Sequence, residues 1–153
     1  MNENLLLVDD DPGVRRMLLR LLEDEGYHVI PAATGLEALD LAAAHHPHLT
    51  LLDLNLPARS GWDIFERLSS EHPSMPIIII TARSNQLLPA AAAGVGALME
   101  KPLDLPKLLR TIRDLLEEPV SARLRRNAGK PAEFHYLPSR PSESASLQAK
   151  PGR

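Results

Sequence analysis

The sequence contains no cysteine, few aromatic residues (one Trp, two Tyr and two Phe) and no long hydrophobic run. The lack of cysteine excludes a disulfide scaffold, thiolate zinc sites, iron–sulfur clusters and thiol catalysis. No apolar run approaches the roughly 18–20 residues that a membrane span needs. The first three residues, Met-Asn-Glu, do not form the positively charged start of a signal peptide. We therefore expect a cytoplasmic protein with no membrane partner.

Charge is distributed unevenly along the 153 residues, whose formal net charge is −3. Residues 1–119 carry a net charge of −8, whereas residues 120–153 carry +5 and are rich in Pro, Ser, Ala and Gly. A segment with so few apolar residues cannot bury enough surface to offset the entropy lost on ordering. We predict one domain over residues 1–119, a boundary near Pro119, and a basic, Pro/Ser-rich, disordered tail over 120–153.

Short apolar runs alternate with amphipathic helical patterns in the first 119 residues. The runs predict buried strands at 5–8, 28–32, 49–52, 77–80 and 97–99, and the patterns predict helices beginning near 12, 35, 62, 88 and 105. Asp11 followed by Pro12 is typical of a helix N-cap with proline at the first helical position. The alternation predicts βαβ units, and therefore an α/β fold with a parallel sheet covered on both faces.

Polar residues stand at or within two residues of the ends of four of the predicted strands. Asp9 and Asp10 follow the first strand, and the others are Asp53, Thr81 and Lys101. Because the carboxyl ends of parallel strands meet at one edge of a sheet, we expect these side chains to converge. Three clustered carboxylates repel one another unless a cation lies among them, and Mg²⁺ suits an oxygen-only ligand set.

The same group of residues has the chemistry of a phosphoryl acceptor. An aspartate carboxylate can act as a nucleophile and form an aspartyl-phosphate. In phosphoryl transfer the protein mainly positions groups and neutralises charge on the equatorial oxygens. Mg²⁺, the Lys101 ammonium and the Thr81 hydroxyl could do this for a phosphoryl group on Asp53. The pattern therefore indicates transfer of a phosphoryl group onto a carboxylate.

Four blocks of sequence carry a family resemblance through their order and spacing. They are Leu6-Leu7-Val8-Asp9-Asp10-Asp11-Pro12, Asp53-Leu54-Asn55-Leu56-Pro57 with Gly61, Thr81-Ala82, and Lys101-Pro102. Together they resemble the receiver domain of bacterial response regulators over about residues 3–118. The resemblance implies a flavodoxin-like doubly wound sheet with strand order 2-1-3-4-5 and five helices.

The resemblance also implies a function. The chain would be a single-domain response regulator of a two-component or phosphorelay system. Its phosphoryl donor would be a phosphohistidine on a sensor histidine kinase or a histidine phosphotransfer protein, and it would signal by contact with a downstream protein. It would not be an enzyme in the usual sense, because it would catalyse only its own phosphorylation and slow dephosphorylation.

Roles for individual residues follow from the resemblance as well. Asp53 would be the phosphorylated residue, and Asp9, Asp10 and the backbone carbonyl of Asn55 would join it in binding Mg²⁺. Lys101 would pair with the phosphoryl group, and Thr81 would move toward it as the switch. The peptide bond between Lys101 and Pro102 is usually cis in this family, whereas only about 5–6% of X–Pro bonds are cis in folded proteins generally.

Leu98 departs from the family pattern. Receivers often carry Tyr or Phe three residues before the lysine, and that ring rotates inward when the threonine moves. Leucine cannot do this, so we expect the acceptor chemistry without the usual aromatic half of the switch.

Two alternatives remain open. In the first, the basic run Arg123-Leu124-Arg125-Arg126 lets the tail bind nucleic acid, although we expect a solvated tail and no nucleic-acid partner. In the second, Asp53-Leu54-Asn55 is the nucleophile motif of an aspartyl-phosphate phosphatase of the haloacid-dehalogenase type. Those enzymes need a second aspartate as general acid where this chain has Asn55.

Overall fold

The computed structural model describes residues 3–57, 60–82, 89, 93–128 and 134–139. In this part of the chain six strands and five helices follow one another. They are β1 (Asn4–Val8), α1 (Pro12–Asp24), β2 (His28–Ala32), α2 (Gly35–His45), β3 (Leu49–Asp53), α3 (Gly61–Glu71), β4 (Ile77–Thr81), β5 (Ala97–Glu100), α4 (Leu105–Glu117), α5 (Val120–Asn127) and β6 (His135–Leu137). The helix predicted to begin near residue 88 lies almost entirely outside the described residues.

The strands form one parallel sheet in the order β2-β1-β3-β4-β5-β6. This confirms the predicted flavodoxin-like α/β fold and the order 2-1-3-4-5, and it adds a sixth strand beside β5. Strands β3, β4 and β5 each extend one residue beyond the predicted runs. Asp53 and Thr81 are therefore the last residues of their strands, and the carboxyl ends of β1, β3, β4 and β5 lie along one edge.

Helices cover both faces of the sheet because alternate side chains of each strand point to opposite sides. Leu6, Val8 and Leu52 belong to a buried cluster with side chains of α2 and α3. Leu5 and Leu7 belong to a second cluster with side chains of α1 and α4. The strands read as continuous apolar runs because both of these faces are buried.

Local capping fixes where two of the helices begin. The Oδ1 atom of Asp11 accepts hydrogen bonds from the backbone N–H of Gly13 at 2.8 Å and of Val14 at 3.3 Å. This confirms that Asp11 caps α1, with Pro12 as the first helical residue. Asp104 caps α4 in the same way, through a 3.2 Å bond from the N–H of Lys107.

The structure differs from the expected disordered tail immediately after Pro119, where α5 packs against the domain. The Nη2 atom of Arg123 donates to the carbonyls of Leu115 at 2.9 Å and Leu116 at 3.0 Å, which satisfies the end of α4. Arg126 makes a bidentate ion pair with Glu118 at 3.0 and 2.7 Å, and the two side chains are only 6% and 10% exposed. Part of the basic run therefore faces inward.

Strand β6 is the second difference from the expected tail. It pairs in parallel with β5, and its Leu137 is buried in the cluster formed with α1 and α4. Composition indicated that the segment cannot build a core of its own, but a few apolar residues are enough to extend an existing core. The boundary near Pro119 stays a prediction, and residues 129–133 and 140–153 lie outside the described part. No helix described here combines the length and the apolar character needed to cross a bilayer.

Candidate functional site

Acidic side chains meet at the carboxyl edge of the sheet. Asp9 follows β1 and is 1% exposed, Asp53 ends β3 and is 2% exposed, and Asp10 is exposed. A carboxylate oxygen from each of the three lies within 4.8 Å of the others. The predicted convergence of Asp9, Asp10 and Asp53 is therefore present in the structure.

The ammonium group of Lys101 lies against this cluster. Its Nζ atom is 3.2 Å from Oδ2 of Asp53 and 4.0 Å from Oδ2 of Asp9. The backbone N–H of Lys101 donates to the carbonyl of Thr81 at 2.8 Å, which ties the end of β5 to the end of β4. The peptide bond from Lys101 to Pro102 is cis, as expected. This arrangement holds one positive charge beside the two buried carboxylates.

Backbone N–H groups orient the two buried carboxylates. Oδ1 of Asp53 accepts from the N–H of Asn55 at 2.9 Å, and Oδ1 of Asp9 accepts from the N–H of Asp11 at 2.9 Å. Each aspartate then directs Oδ2 into the cluster. The Oδ2 atom of Asp53 meets Lys101, but the Oδ2 atom of Asp9 is buried and accepts no hydrogen bond from the described residues.

The surroundings of Asp9 disfavour its negative charge. Burial raises the pKa of Asp9, and the neighbouring charges of Asp53 and Asp10 raise it further. The N–H of Asp11 and the Lys101 ammonium oppose this rise without cancelling it. A buried carboxylate oxygen without a donor is costly unless a cation pairs with it. The donor set consists of oxygens only, so the site fits Mg²⁺.

The loop after Asp53 is shaped by a close approach that requires glycine at position 61. The N–H of Gly61 donates to the carbonyl of Leu54 at 3.2 Å. A Cβ atom at residue 61 would lie only 2.5 Å from Cα of Leu54, so any side chain would push α3 away from this loop. Gly61 thereby keeps the loop that carries Asn55 folded over the end of β3.

The other residues singled out in the sequence lie at or near the same edge of the sheet or in the core. Thr81 is the last residue of β4 and is 1% exposed. Asn55 reaches the cluster through its N–H group, while the role of its carbonyl as a metal ligand stays a prediction. Asp11 is a helix cap. Leu98 is fully buried in the cluster formed with α2 and α3, so leucine fills core volume at this position.

Sequence reasoning missed two residues beside the site. The Nη1 atom of Arg15 donates to the carbonyl of Asp9 at 2.8 Å and fixes the backbone there. Glu100, directly before Lys101, accepts from the N–H of Ser139 at 3.2 Å beyond the end of β6. Glu100 could be identified only from the structure, because its partner follows a strand that the composition did not indicate.

The fold and the site define a class of protein: a flavodoxin-like α/β domain with three clustered carboxylates at the carboxyl edge of its sheet and a lysine paired to the central aspartate. Residues 5–113 match the family described as "Response regulator receiver domain". The chain therefore belongs to the response regulator receiver domains of two-component signalling.

Individual relatives agree with this assignment. The chain is similar to sporulation initiation phosphotransferase F of Bacillus subtilis, with 34% identity over 118 residues that cover 76% of this chain and 95% of the relative. It is also similar to the transcriptional regulatory protein GlrR of Escherichia coli, with 36% identity over 121 residues. That match covers 78% of this chain but only 27% of GlrR, so the chain spans about a quarter of the relative's length.

Solved structures show the same fold. A CheY-like receiver domain protein from Methanospirillum hungatei has a TM-score of 0.73 and 30% identity, covering 76% of this chain and 95% of that one. The response regulator TrrA of Thermotoga maritima, solved in complex with Mg²⁺-BeF, has a TM-score of 0.69 and 26% identity. That similarity covers 74% of this chain and 98% of TrrA.

Proposed function

We propose that this receiver domain accepts a phosphoryl group on Asp53 from a phosphohistidine, in a Mg²⁺-dependent reaction, and acts as a cytoplasmic response regulator. The donor is a sensor histidine kinase or a histidine phosphotransfer protein, and the output is contact with a downstream protein. The single observation that carries this proposal is the 3.2 Å pairing of Asp53 Oδ2 with Lys101 Nζ inside a buried acidic cluster.

In the proposed reaction a carboxylate oxygen of Asp53 attacks the phosphorus atom of the phosphohistidine. A P–O bond forms, the P–N bond breaks, and the electron pair of that bond leaves with the imidazole, which then takes up a proton. Lys101 pairs with one of the phosphoryl oxygens, and the hydroxyl of Thr81 donates to another. The chain catalyses this transfer to itself and, more slowly, hydrolysis of the aspartyl-phosphate, in which water takes the phosphoryl group as inorganic phosphate and the Asp53 carboxylate is restored; it does not turn over a separate substrate.

The carboxylates of Asp9, Asp10 and Asp53, together with the Asn55 carbonyl, would hold Mg²⁺. Bound Mg²⁺ supplies neutralisation of the charge on the phosphoryl oxygens. Two observations support this ion: the buried Oδ2 atom of Asp9 has no donor among the described residues, and the similar receiver TrrA was solved with Mg²⁺-BeF. Few protein ligands are present, so we expect weak binding with waters in the remaining positions.

The test is labelling by acetyl phosphate and Mg²⁺ in the wild type and in Asp53→Asn. The amide has the shape of the carboxylate but is a poor nucleophile, so we expect the base-labile phosphate label to disappear. Asp63→Asn is the matched control, because Asp63 is an exposed aspartate in the first turn of α3 and should keep full labelling. Undiminished labelling of Asp53→Asn would contradict the proposal. Multiple turnover of a phosphomonoester would instead favour the phosphatase alternative.

A further inference from the structure

The end of β6 is fastened to the edge of the sheet that carries the acidic cluster. The strand starts with a bond from the N–H of His135 to the carbonyl of Gly96 at 3.1 Å. Just beyond its last residue, the N–H of Ser139 donates to Glu100 Oε1 at 3.2 Å. The hydroxyl of Tyr136 also interacts with the Glu100 carboxylate, and partial loss of solvent together with this interaction raises the pKa of Tyr136. Glu100 is therefore the residue that holds the far end of β6.

Glu100 also adjoins Thr81 and Lys101 of the site. It is the register partner of Thr81 in the neighbouring strand β4. Register partners in adjacent strands project to the same face of a sheet, so the two side chains are neighbours. Glu100 is followed directly by Lys101, whose N–H is bonded to the carbonyl of Thr81. Any rearrangement of Thr81 or Lys101 therefore occurs beside the residue that fastens β6.

Apart from this contact, β6 is held by its pairing with β5, by Leu137 and by the partly buried Phe134 directly before it. The strand is three residues long, Leu137 is its one buried side chain, and Tyr136 is 41% exposed. Such a short edge strand contributes few ladder bonds and little apolar burial, and segments of this kind open at low free-energy cost. A strand of this kind can exchange between the docked position on β5 and a released one.

We propose that β6 is an autoinhibitory strap, which stays docked on β5 while Asp53 carries no phosphoryl group and is loosened when Asp53 is phosphorylated. This inference rests on the proposed function. A phosphoryl group adds negative charge at the sheet edge and draws the Lys101 ammonium and the Thr81 hydroxyl toward itself. The negative Glu100, placed between them and β6, is then displaced from the two neutral donors that it holds. Release uncovers the edge of β5.

The docking of β6 and phosphorylation of Asp53 must affect each other reciprocally if they are coupled. If phosphorylation weakens the docking of β6, then weakening the docking of β6 must favour the phosphorylated state by the same factor. A variant that loosens the strap should bind the phosphoryl analogue beryllofluoride more tightly. Coupling between two sites in a protein is typically about 5- to 150-fold in affinity, and we expect the lower end for a single lost hydroxyl.

The first measurement is beryllofluoride affinity in the full chain with Mg²⁺, followed by the fluorescence of Trp62. Tyr136→Phe removes only the hydroxyl that contacts Glu100, and Leu137→Asp places a charge where β6 is buried. Both should tighten binding, Leu137→Asp more strongly. Tyr27→Phe is the matched control, since Tyr27 precedes β2 at the opposite end of the sheet. Unchanged or weaker binding in both strap variants would overturn the inference.

The second measurement is amide hydrogen exchange of the β6 peptide in the wild type, with and without beryllofluoride. We expect faster exchange at residues 135–137 when beryllofluoride is bound. If Trp62 reports binding and β6 exchange is unchanged or slower, the strap is disproved while the proposed phosphorylation stands. If acetyl phosphate fails to label Asp53 and beryllofluoride fails to bind, the proposed function fails and the strap fails with it.

Discussion

Asp9 and Asp53 are two buried carboxylates at one sheet edge, but their second oxygens have different surroundings. Oδ2 of Asp53 is paired with Lys101 at 3.2 Å, whereas Oδ2 of Asp9 is 4.0 Å from the same ammonium and accepts no hydrogen bond from the described residues. The paired oxygen suits an acceptor that will carry a phosphoryl group. The unpaired one suits a metal ligand. In the absence of a cation, Asp9 is a source of instability.

We predict that Asp9→Asn raises the melting temperature by a few degrees in the absence of Mg²⁺. The amide removes a buried charge that is repelled by Asp53 and Asp10, and its oxygen can still accept the bond from the Asp11 N–H. The measurement is thermal unfolding in EDTA. In saturating Mg²⁺ the wild type should have the higher melting temperature, because the variant loses a ligand and with it the stabilisation by the bound ion. A variant that is less stable than the wild type in EDTA would contradict this view of Asp9.

The same substitution should have a defined pH dependence. Because the pKa of Asp9 is raised in the folded state, the folded chain holds this proton more tightly than the unfolded chain does. The contribution of protonated Asp9 to the free energy of unfolding is fully present below the ordinary aspartate pKa. It is lost as the pH rises through the raised pKa of Asp9. The increase in melting temperature that Asp9→Asn gives over the wild type in EDTA should therefore be largest at neutral pH and vanish in acid. An advantage independent of pH would mean that charge is not its cause.

A third residue-scale prediction concerns Asp10 and the metal. Trp62 stands at the start of α3, after the loop that follows Asp53, so its fluorescence is expected to report binding at the site. Asp10→Ala should eliminate the response to Mg²⁺ because it removes one of three carboxylates. Asp40→Ala, an exposed aspartate of α2, should titrate like the wild type. A normal titration by Asp10→Ala would show that this acidic pair is not the metal site.

At the scale of elements, the strands and helix starts that depend on neighbouring residues in the sequence could be predicted. Strands buried on both faces read as apolar runs, and caps such as Asp11 mark helix starts. Helix α5 and strand β6 were not predicted, because their stability comes from contacts with distant residues. Arg123 satisfies carbonyls of α4, and Asn127 donates to the Ser69 carbonyl at the end of α3 at 3.2 Å. Composition indicates whether a segment can fold alone, and it does not indicate tertiary contacts of this kind.

The buried pair of Arg126 and Glu118 predicts that α5 matters for stability. Arg126→Ala removes the bidentate partner of the Glu118 carboxylate and leaves it only Arg123, whose Nε lies 3.8 Å from Glu118 Oε1. Removing one member of a fully buried pair typically costs about 3–5 kcal/mol, and because Arg123 stays we expect a loss no larger than the lower end of that range. Urea unfolding measures the change. The control is Arg110→Ala on the exposed side of α4, where surface substitutions usually stay within about 0.5 kcal/mol. Equal, small effects for both variants would indicate that α5 does not pack on the domain in solution.

At the scale of the whole molecule, topology converts separate strand ends into one site. Parallel strands bring Asp9, Asp53, Thr81 and Lys101 to one edge, so the residues of the site could be predicted from the sequence. The unpaired oxygen of Asp9 and the link from Glu100 to β6 could not, because they depend on side-chain geometry and on a strand-to-strand register. The residues of the site are thus apparent from the sequence, whereas the contact from Glu100 to the C-terminal segment is apparent only in the three-dimensional structure.

The central claim is that Asp53 is the phosphoryl acceptor. Its most direct test is to locate the phosphate on the intact chain after reaction with acetyl phosphate and Mg²⁺, by borohydride trapping of the acyl phosphate and peptide mass spectrometry. We expect one trapped position, Asp53, with labelling that disappears when EDTA removes the ion. A trapped position at any other residue, or full labelling of Asp53 in EDTA, would contradict it.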